Sequence, residues 1–422
     1  MICSIYIGCV ADDFTGASDI ASFFVKSGLR TILLNGIPEQ TALPSFSADA
    51  VVIALKSRTA PKKQAVKDSL AAFSLLKELG AQKLYFKYCS TFDSTEEGNI
   101  GPVADAVMER FQIPYTILCP ALPVNGRTVK DGKLYVNGVL LEDSSMKDHP
   151  LTPMRESRLS SLIGMQSRYQ GIAIGASEYA SVLSVANSYC QRDGHCYLIP
   201  DYEREEDGEK IAEIFQDLIF YTGGSGLAEH LGKQYRKQVP VASIEPIEER
   251  TEGRALLLSG SCSLATLGQI ADYQEKGYPC YKINVEKVLQ EQESAEQIFQ
   301  FIRHYPDGNV LVYSSDRPEM VKKAQAMGRE TVAEALEALM KALAIQAVLD
   351  GFQKIIVAGG ETSGAVIKGL QEQGFWIGKS IAPGVPVMIP ITNPHLRLVL
   401  KSGNFGQEDF FERAITELEV KR

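Results

Sequence analysis

The stretch IYIGCVADDFTGASDIASFFVKSGLR (residues 5–30) predicts a buried strand that ends at two adjacent acids, with a helix directly after them. The run 5–11 is apolar throughout, and apolar residues then recur at helical spacing. Asp13 or Thr15 could cap this helix, for which one side chain is sufficient. An acid that does not cap the helix, such as Asp12, then lies at the carboxyl end of a parallel strand. Open α/β sheets place ligands and catalytic groups at this position.

Short apolar runs alternate with helical patterns along the rest of the chain. This alternation predicts an α/β fold with two three-layer α/β domains and largely parallel sheets. The segment VPVASIEPIEERTEGR (239–254) is rich in proline and charge, which is typical of an interdomain linker. We therefore expect domains at 1–240 and 255–422, joined by a linker at 241–254. A helix with an apolar stripe at 331–349 is interpreted as core, or else as the surface of a homodimer.

Composition excludes several classes of partner. The chain has 422 residues, a net charge of −9 and a pI near 5.3, so neither a nucleic acid nor an anionic membrane is expected to bind it. No apolar run reaches the ~18 residues that cross a bilayer, and the first basic residue is Lys26, which does not suit a secretory signal. These features predict a cytoplasmic protein.

The eight cysteines contain no CxxC pair, which predicts reduced thiols. Cys190, His195 and Cys196 are the nearest approach to a metal cluster, although zinc spacing is absent. Metal ligands are therefore left unassigned by the sequence.

In three segments of the second half of the chain, a glycine-rich turn follows an apolar strand and precedes a helical pattern. The segments are ALLLSGSCS (255–263), IIVAGGETSG (355–364) and LVLKSGNFG (398–406). Glycine lets the backbone approach a phosphate, and successive N–H groups at the start of a helix attract anions. One such turn is more often only a tight connection. Three at one sheet edge would surround a triphosphate, although none matches the P-loop or the Rossmann fingerprint.

Predicted strand ends in the first half carry polar side chains in LKSRT (55–59), FKYCSTFDSTEEGNIG (86–101) and CPALPVNGRTVKDG (119–132). A small polyhydroxylated acid needs this mixture, with a guanidinium for the carboxylate and polar groups for the hydroxyls. The candidate substrate-binding residues are Thr15, Ser57, Arg58, Lys87, Ser90 and Arg127. A single one of them would more often cap a helix or form a surface ion pair. TGGSG (222–226) is interpreted as a further anion-binding turn, and His149 as a residue that orients substrate or bonds to the backbone.

With these motifs in order, the chain resembles the four-carbon acid sugar kinase family over essentially its whole length. The resemblance is carried by ADDFTGASDIA, DST followed by GNIG, PxNGR, HPLTPM, TGGSG, SGSCS, AGGETSG, APGVP and KSGNFG. The forms FKYCSTFDSTEEGNIGPV and CPALPVNGRT are most similar to the 3-oxo-tetronate kinase branch. Glu96 and Glu97 stand where other branches have Leu and Arg, which favours a 3-oxo acid over a tetronate or threonate.

The resemblance implies a first domain that binds the acid sugar, a second that binds ATP, and an active-site cleft between the domains. It implies transfer of the γ-phosphoryl group to the C4 hydroxyl. Reactions of this kind use Mg²⁺, which we expect between the β- and γ-phosphates. The nucleotide would be contacted by Ser259, Gly260, Ser261, Gly359, Gly360, Glu361, Thr362, Ser363 and Gly403. The catalytic base would be Asp12 or Asp13, then Asp93, and the sequence does not choose among them.

Two other classes of function are compatible with parts of the pattern. A nucleotide-regulated sugar-acid binding protein would keep the glycine turns but would not need acids at the strand ends. An NAD-dependent oxidoreductase would need GxGxxG followed by an acid about 20 residues later, and this arrangement is not found.

Overall fold

Parallel strands form the sheet of each of two units, Met1–Ile244 and Glu245–Arg422. The computed structural model describes residues 5–38, 46–148, 152–239 and 249–420. The predicted linker lies mostly outside the described residues, and so does His149.

The sheet of the first unit has the strand order β2-β3-β1-β4-β11-β5-β10-β9, with every neighbouring pair parallel. Its strands are β1 (Ile7–Ala11), β2 (Thr31–Asn35), β3 (Ala50–Ala54), β4 (Lys83–Lys87), β5 (Tyr115–Cys119), β9 (Gln170–Ile174), β10 (Cys196–Pro200) and β11 (Phe220–Gly223). The central strands β1 and β3 are buried along their full length, as expected for a parallel sheet covered on both faces.

The connections of the first unit are mostly helical. The helices are α1 (Phe14–Lys26), α2 (Lys62–Glu78), α3 (Ile100–Phe111), α4 (Leu159–Gly164), α5 (Val182–Asp193), α6 (Glu205–Ile214) and α7 (Ala228–Gln238). Strands β6 (Arg127–Lys130), β7 (Lys133–Val136) and β8 (Val139–Leu140) form a separate antiparallel sheet. The region 126–160 looks irregular in sequence because these strands are only two to four residues long, too short to show a clear hydrophobic period.

The sheet of the second unit has the order β13-β14-β12-β15-β18-β17-β16. Its strands are β12 (Ala255–Ser259), β13 (Cys280–Lys282), β14 (Val310–Tyr313), β15 (Lys354–Ala358), β16 (Gly374–Ala382), β17 (Val385–Pro390) and β18 (Arg397–Lys401). Its helices are α8 (Leu264–Glu275), α9 (Val285–Leu289), α10 (Ala295–Arg303), α11 (Pro318–Gln325), α12 (Arg329–Leu349), α13 (Gly360–Leu370) and α14 (Phe410–Leu418). The first five strands in this order are parallel, whereas β17 is antiparallel to β18 and β16. The α/β fold predicted from the sequence is confirmed.

The hairpin of β16 and β17 explains the APGVP motif at 382–386. Ala382 pairs with Val385, and the turn between them consists of Pro383 and Gly384. Gly384 has a φ of 73°, so this turn has proline and glycine where a type II turn favours them.

Helix α12 buries much of its apolar stripe inside its own unit. Leu339, Leu343 and Ala347 are buried, and the helix packs against α13. These contacts support the interpretation of the stripe as core, while a homodimer stays a prediction. Among the described residues, we find no helix that is both long and apolar enough to span a bilayer.

Candidate active site

Three neighbouring strands of the first unit, β3, β1 and β4, bring charged side chains together at their carboxyl ends. Asp12 and Asp13 follow β1, Arg58 follows β3, and Lys87 ends β4. Because the strands are parallel, their carboxyl ends lie side by side, which is why residues distant in sequence meet here.

Asp12 is 4% exposed and binds the Arg58 guanidinium through both carboxylate oxygens. The Nε and Nη2 groups of Arg58 donate to Oδ2 and Oδ1 at 2.9 and 2.8 Å. Burial raises the pKa of Asp12, and the hydrogen bonds from Arg58 act against this rise. Because Asp12 is buried and held through both oxygens, it is placed to orient Arg58, and little of it is open to a substrate hydroxyl.

Asp13 caps helix α1 and remains open to solvent. Its Oδ1 accepts the Gly16 N–H at 2.7 Å, and its Oδ2 lies 3.1 Å from Arg58 Nη1 with 34% of the side chain exposed. The two acids therefore divide the roles that the sequence left open. Asp13 supplies the cap and is also the more accessible carboxylate.

Lys87, at the end of β4, and Asp19, on helix α1, add two more charged groups to the Asp12, Asp13 and Arg58 cluster. Lys87 is 4% exposed, and its Nζ donates to the Tyr88 carbonyl at 2.8 Å. Asp19 accepts a 2.5 Å hydrogen bond from Ser225 Oγ; burial raises its pKa, and the charge of Lys87 lowers it. Asp19 is not among the residues predicted from the sequence, although it is the third acid of ADDFTGASDIA and lies on the predicted helix.

The glycines of TGGSG are required by close packing against the chain that follows β5. A Cβ on Gly223, Gly224 or Gly226 would lie 2.0, 2.5 or 2.3 Å from a backbone carbonyl oxygen. Their packing accounts for these glycines without an anion. Ser225, between them, contributes to the cluster through Asp19.

Asp93 lies in the same region as Arg58 and Lys87. Its Oδ1 accepts a 2.6 Å hydrogen bond from Thr91 Oγ1. Burial and then the charge of Asp93 raise the pKa of Cys89, whereas Arg58 and Lys87 lower it, so all three charged groups are close enough to act on one thiol. The structure thus brings Asp93 to the neighbourhood of Asp12 and Asp13.

The other predicted substrate residues have diverse surroundings. Ser57 is 3% exposed, and its hydroxyl has no partner in the described part of the chain. Ser90 is partly exposed, Thr15 is exposed in the first turn of α1, and Arg127 donates to the Asn125 carbonyl from β6. Within the described ranges, no hydrogen bond or ion pair joins Thr15 or Arg127 to the Asp12–Arg58 pair.

Asn99, which the sequence placed in a polar loop, holds the segment around Arg58. Its Nδ2 donates to the carbonyls of Ser57 and Ala60, both at 2.8 Å. This side chain therefore fixes the loop from which Arg58 extends.

In the second unit, the three predicted glycine turns meet at the ends of the adjacent strands β12, β15 and β18. A Cβ on Gly260 would lie 2.3 Å from Thr362 Oγ1, and one on Gly403 would lie 2.5 Å from Ser261 Oγ. Gly359 has a φ of 130° and packs against the Ser261 backbone. The turns are thus in direct contact, and side chains larger than glycine would separate them.

Helix α13 begins at Gly360, inside the stretch 355–364 that the sequence predicted to be a strand followed by a turn. The residues expected to form a turn are therefore its first helical turn, and the Ser363 N–H already donates to the Gly359 carbonyl at 2.9 Å. Gly360 and Glu361 are exposed, and Thr362 and Ser363 are buried. The free N–H groups of a first helical turn form an anion-binding site.

Ser259 and Ser261 have structural contacts within this arrangement. Ser259 is fully buried, with its Oγ 2.9 Å from Ser315 Oγ. Ser261 Oγ accepts from the Ser263 N–H at 3.3 Å. The N–H groups of Gly260 and Ser261 both donate to the Ala358 carbonyl, at 3.0 and 3.2 Å. The β12 turn is therefore held against β15, and it shapes the site by its packing rather than by these two N–H groups.

Side chains of α8 and β18 hold the Gly403 turn. Its carbonyl accepts from Ser263 Oγ at 2.7 Å, Thr266 Oγ1 at 2.9 Å and Lys401 Nζ at 2.9 Å. The Lys401 ammonium also donates to Thr266 Oγ1 at 2.9 Å and to the Ser402 carbonyl at 3.3 Å. Lys401 is 1% exposed, so an internal cation fixes the shape of this turn.

Burial lowers the pKa of Lys401 to about 8, which predicts a pH-dependent stability. Between about pH 8 and the ordinary lysine value of ~10.4, the unfolded chain holds one more proton than the folded chain, so raising the pH favours folding. We expect the free energy of unfolding of the wild type, relative to Lys401→Met, to rise by on the order of 3 kcal/mol across this window. Denaturant titrations of both proteins at pH 7.5 and 10.5 measure it, and a difference that stays constant would contradict the prediction.

A cavity of about 660 Å³ opens beside Gly260 and Glu361, and the sequence analysis did not foresee it. It extends past Ser314 and Asp316 to helices α11 and α12. Its walls come from chain segments up to about 100 residues apart, which is why no local motif marks it.

Among the described residues, no group of three or more His, Cys, Asp or Glu side chains could hold a metal ion. At the weak cluster named above, His195 Nδ1 lies 2.8 Å from the Ile113 carbonyl, and the sulfurs of Cys190 and Cys196 lie 3.7 Å apart. These contacts lie where helix α5 ends and strand β10 begins, and they are packing contacts within the protein.

Two family models match the chain. A sugar-binding N-terminal domain matches residues 7–231, and a nucleotide-binding C-terminal domain matches residues 256–411. A protein of Brucella melitensis named 3-oxo-tetronate kinase is 42% identical over 97% of this chain and 94% of its own length. The protein of that name from Burkholderia multivorans is 41% identical over 98% of this chain and 97% of its own length. The chain belongs to the 3-oxo-tetronate kinase family. The family predicted from the motifs is confirmed.

Two solved structures have the same fold as this chain. A Haemophilus influenzae protein is 40% identical, with a TM-score of 0.84 over 96% of this chain and 98% of the other. A Salmonella typhimurium LT2 protein, described as a proposed tRNA synthase, is 39% identical, with a TM-score of 0.89 over 99% of this chain and 100% of the other. The curated relative from the same Salmonella strain, 42% identical to this chain, is named 3-oxo-tetronate kinase.

Proposed function

We propose that this protein transfers the γ-phosphoryl group of ATP to the C4 hydroxyl of a 3-oxo-tetronate such as 3-oxo-erythronate. The observation that carries the proposal is the meeting of the Gly260, Gly359 and Gly403 turns at one sheet edge, within the part of the chain that matches a nucleotide-binding domain. Backbone N–H groups there are suited to a triphosphate. A protein that consumes ATP would work in the cytoplasm.

The acid sugar would bind at the Asp12–Arg58 edge of the first unit, which lies in the part matching a sugar-binding domain. We assign the role of base to Asp13, because its side chain is 34% exposed whereas that of Asp12 is 6% exposed. Arg58 and Lys87 would supply positive charge for the substrate carboxylate. The Ser57 hydroxyl, which has no hydrogen-bond partner among the described residues, would bind a substrate oxygen.

Mg²⁺, when bound, would neutralise charge on the β- and γ-phosphates. The ion usually takes most of its ligands from phosphates and water and only one or two from carboxylates. Glu361, exposed in the first turn of α13, fits this requirement and would be its protein ligand. A site of this kind does not need a preformed cluster of acids.

The experiment is a measurement of ADP release with 3-oxo-erythronate, erythronate, threonate or no acceptor. We expect ADP release only with the 3-oxo acid, and ³¹P NMR of the product should show the phosphate on C4. Release with erythronate or threonate instead would favour a tetronate kinase, and nucleotide binding without ADP release would favour a regulated binding protein.

A further inference from the structure

The cavity beside Gly260 lies over the ends of the strands next to the phosphate turns. Gly260 follows β12, Asp316 follows the neighbouring strand β14, and Lys282 ends β13 on the far side. Neighbouring strands are roughly 4.8 Å apart, so the cavity extends sideways from the turns by about the length of a nucleoside. A group attached to phosphates at Gly260 would enter it directly.

One wall of the cavity is apolar and open to solvent. Met320 and Met327 line it with 47% and 40% of their surface exposed, and Val321, Ala324 and Leu336 line it with them. Exposed apolar surface of this kind marks a ligand site, and methionine sulfur makes favourable contacts with aromatic rings. A planar aromatic base would cover this wall.

Asp316 lines the same cavity between this wall and Gly260. Its Oδ2 lies 2.7 Å from Lys282 Nζ, and its Oδ1 accepts the Arg317 N–H at 2.9 Å. Both contacts hold the carboxylate in place, and its side chain is still 22% exposed. Burial acts to raise the pKa of Asp316, but the bonds from Lys282 and Arg317 lower it overall, so the group is ionised. Each oxygen keeps an acceptor site for a hydroxyl donor.

We propose that this cavity binds the nucleoside part of ATP, with a ribose hydroxyl donating to the Asp316 carboxylate and the base covering the Met320–Met327 wall. The inference rests on the proposed function, which supplies ATP as the ligand. It assigns a recognition role to Asp316, a residue outside every motif of the sequence.

The test is calorimetric binding of ADP, 2′-deoxy-ADP and 3′-deoxy-ADP to the full chain. We expect the wild type to bind ADP about tenfold more tightly than at least one deoxynucleotide, because a hydrogen bond to a charged group is lost. In Asp316→Ala all three nucleotides should bind equally, at the weaker level. Glu319→Ala, which removes an exposed acid outside the cavity, should behave as the wild type.

Two further measurements separate the outcomes. Inorganic triphosphate should bind equally to the wild type and to Asp316→Ala, which shows that the variant is folded and its phosphate turns intact. A wild-type preference for ADP that survives in Asp316→Ala, or no preference in the wild type, would overturn the inference. ADP release with 3-oxo-erythronate is measured in parallel, so a protein that shows the preference without turnover would refute the proposed function alone.

Discussion

The variant Asp13→Asn is expected to lower kcat at least about 100-fold, because general base catalysis contributes roughly 10²–10⁴-fold to a rate. The amide has nearly the shape of the carboxylate but cannot accept the proton of the C4 hydroxyl. Asparagine caps a helix about as well as aspartate, so the hydrogen bond from the Gly16 N–H survives. Steady-state kinetics with 3-oxo-erythronate, together with thermal unfolding, measure both effects.

Two companion variants make this prediction specific. Asp12→Asn removes half of a buried, doubly hydrogen-bonded ion pair with Arg58, so the free energy of unfolding should fall by about 2 kcal/mol or more as activity falls. Asp93→Asn should leave most of the activity. If Asp13→Asn instead keeps kcat within about threefold of the wild type while Asp93→Asn loses it, the base is Asp93.

The variant Gly260→Ala is expected to raise the KM for ATP about tenfold or more without changing the KM for the acid sugar. The new Cβ would lie 2.3 Å from Thr362 Oγ1, so the first turn of α13 must move away from the β12 turn. Overpacking of this kind typically costs about 1–3 kcal/mol, which corresponds to a change of roughly 5- to 150-fold in affinity. Kinetics with each substrate varied in turn measure the two KM values.

A second substitution tests the physical cause. In the double variant Gly260→Ala with Thr362→Ala, the nearest remaining neighbours of the new Cβ lie at 3.6 Å, an ordinary contact distance, so ATP binding should recover. Gly268→Ala in α8, where the nearest atom would be 3.9 Å away, is the matched control and should have no effect. A double variant as weak as Gly260→Ala would show that the contact with Thr362 is not the cause.

The glycine turns were predictable because parallel strands share one carboxyl edge, so three turns of one type after three strands of one sheet must lie near each other. The sequence could not show which groups touch. The turns at Gly260, Gly359 and Gly403 contact one another through Ser261 and Thr362, across more than 140 residues of chain, and only the strand order places them together.

The charged edge of the first unit was predictable in composition but not in pairing. The sequence marked Arg58 as a substrate-binding residue but did not show that its guanidinium is also held by Asp12, 46 residues earlier. Ion pairs between distant residues depend on strand register, which a single sequence does not fix. Asp19 was missed for a related reason, since its partner Ser225 is 206 residues away.

A crystal structure with a non-hydrolysable ATP analogue would show whether the glycine turns of the second unit hold the phosphates of ATP. We expect phosphate oxygens within hydrogen-bond distance of the backbone N–H groups of Gly360 and Gly403, beside the turn that contains Gly260. An analogue whose phosphates lie away from all three turns would contradict this expectation.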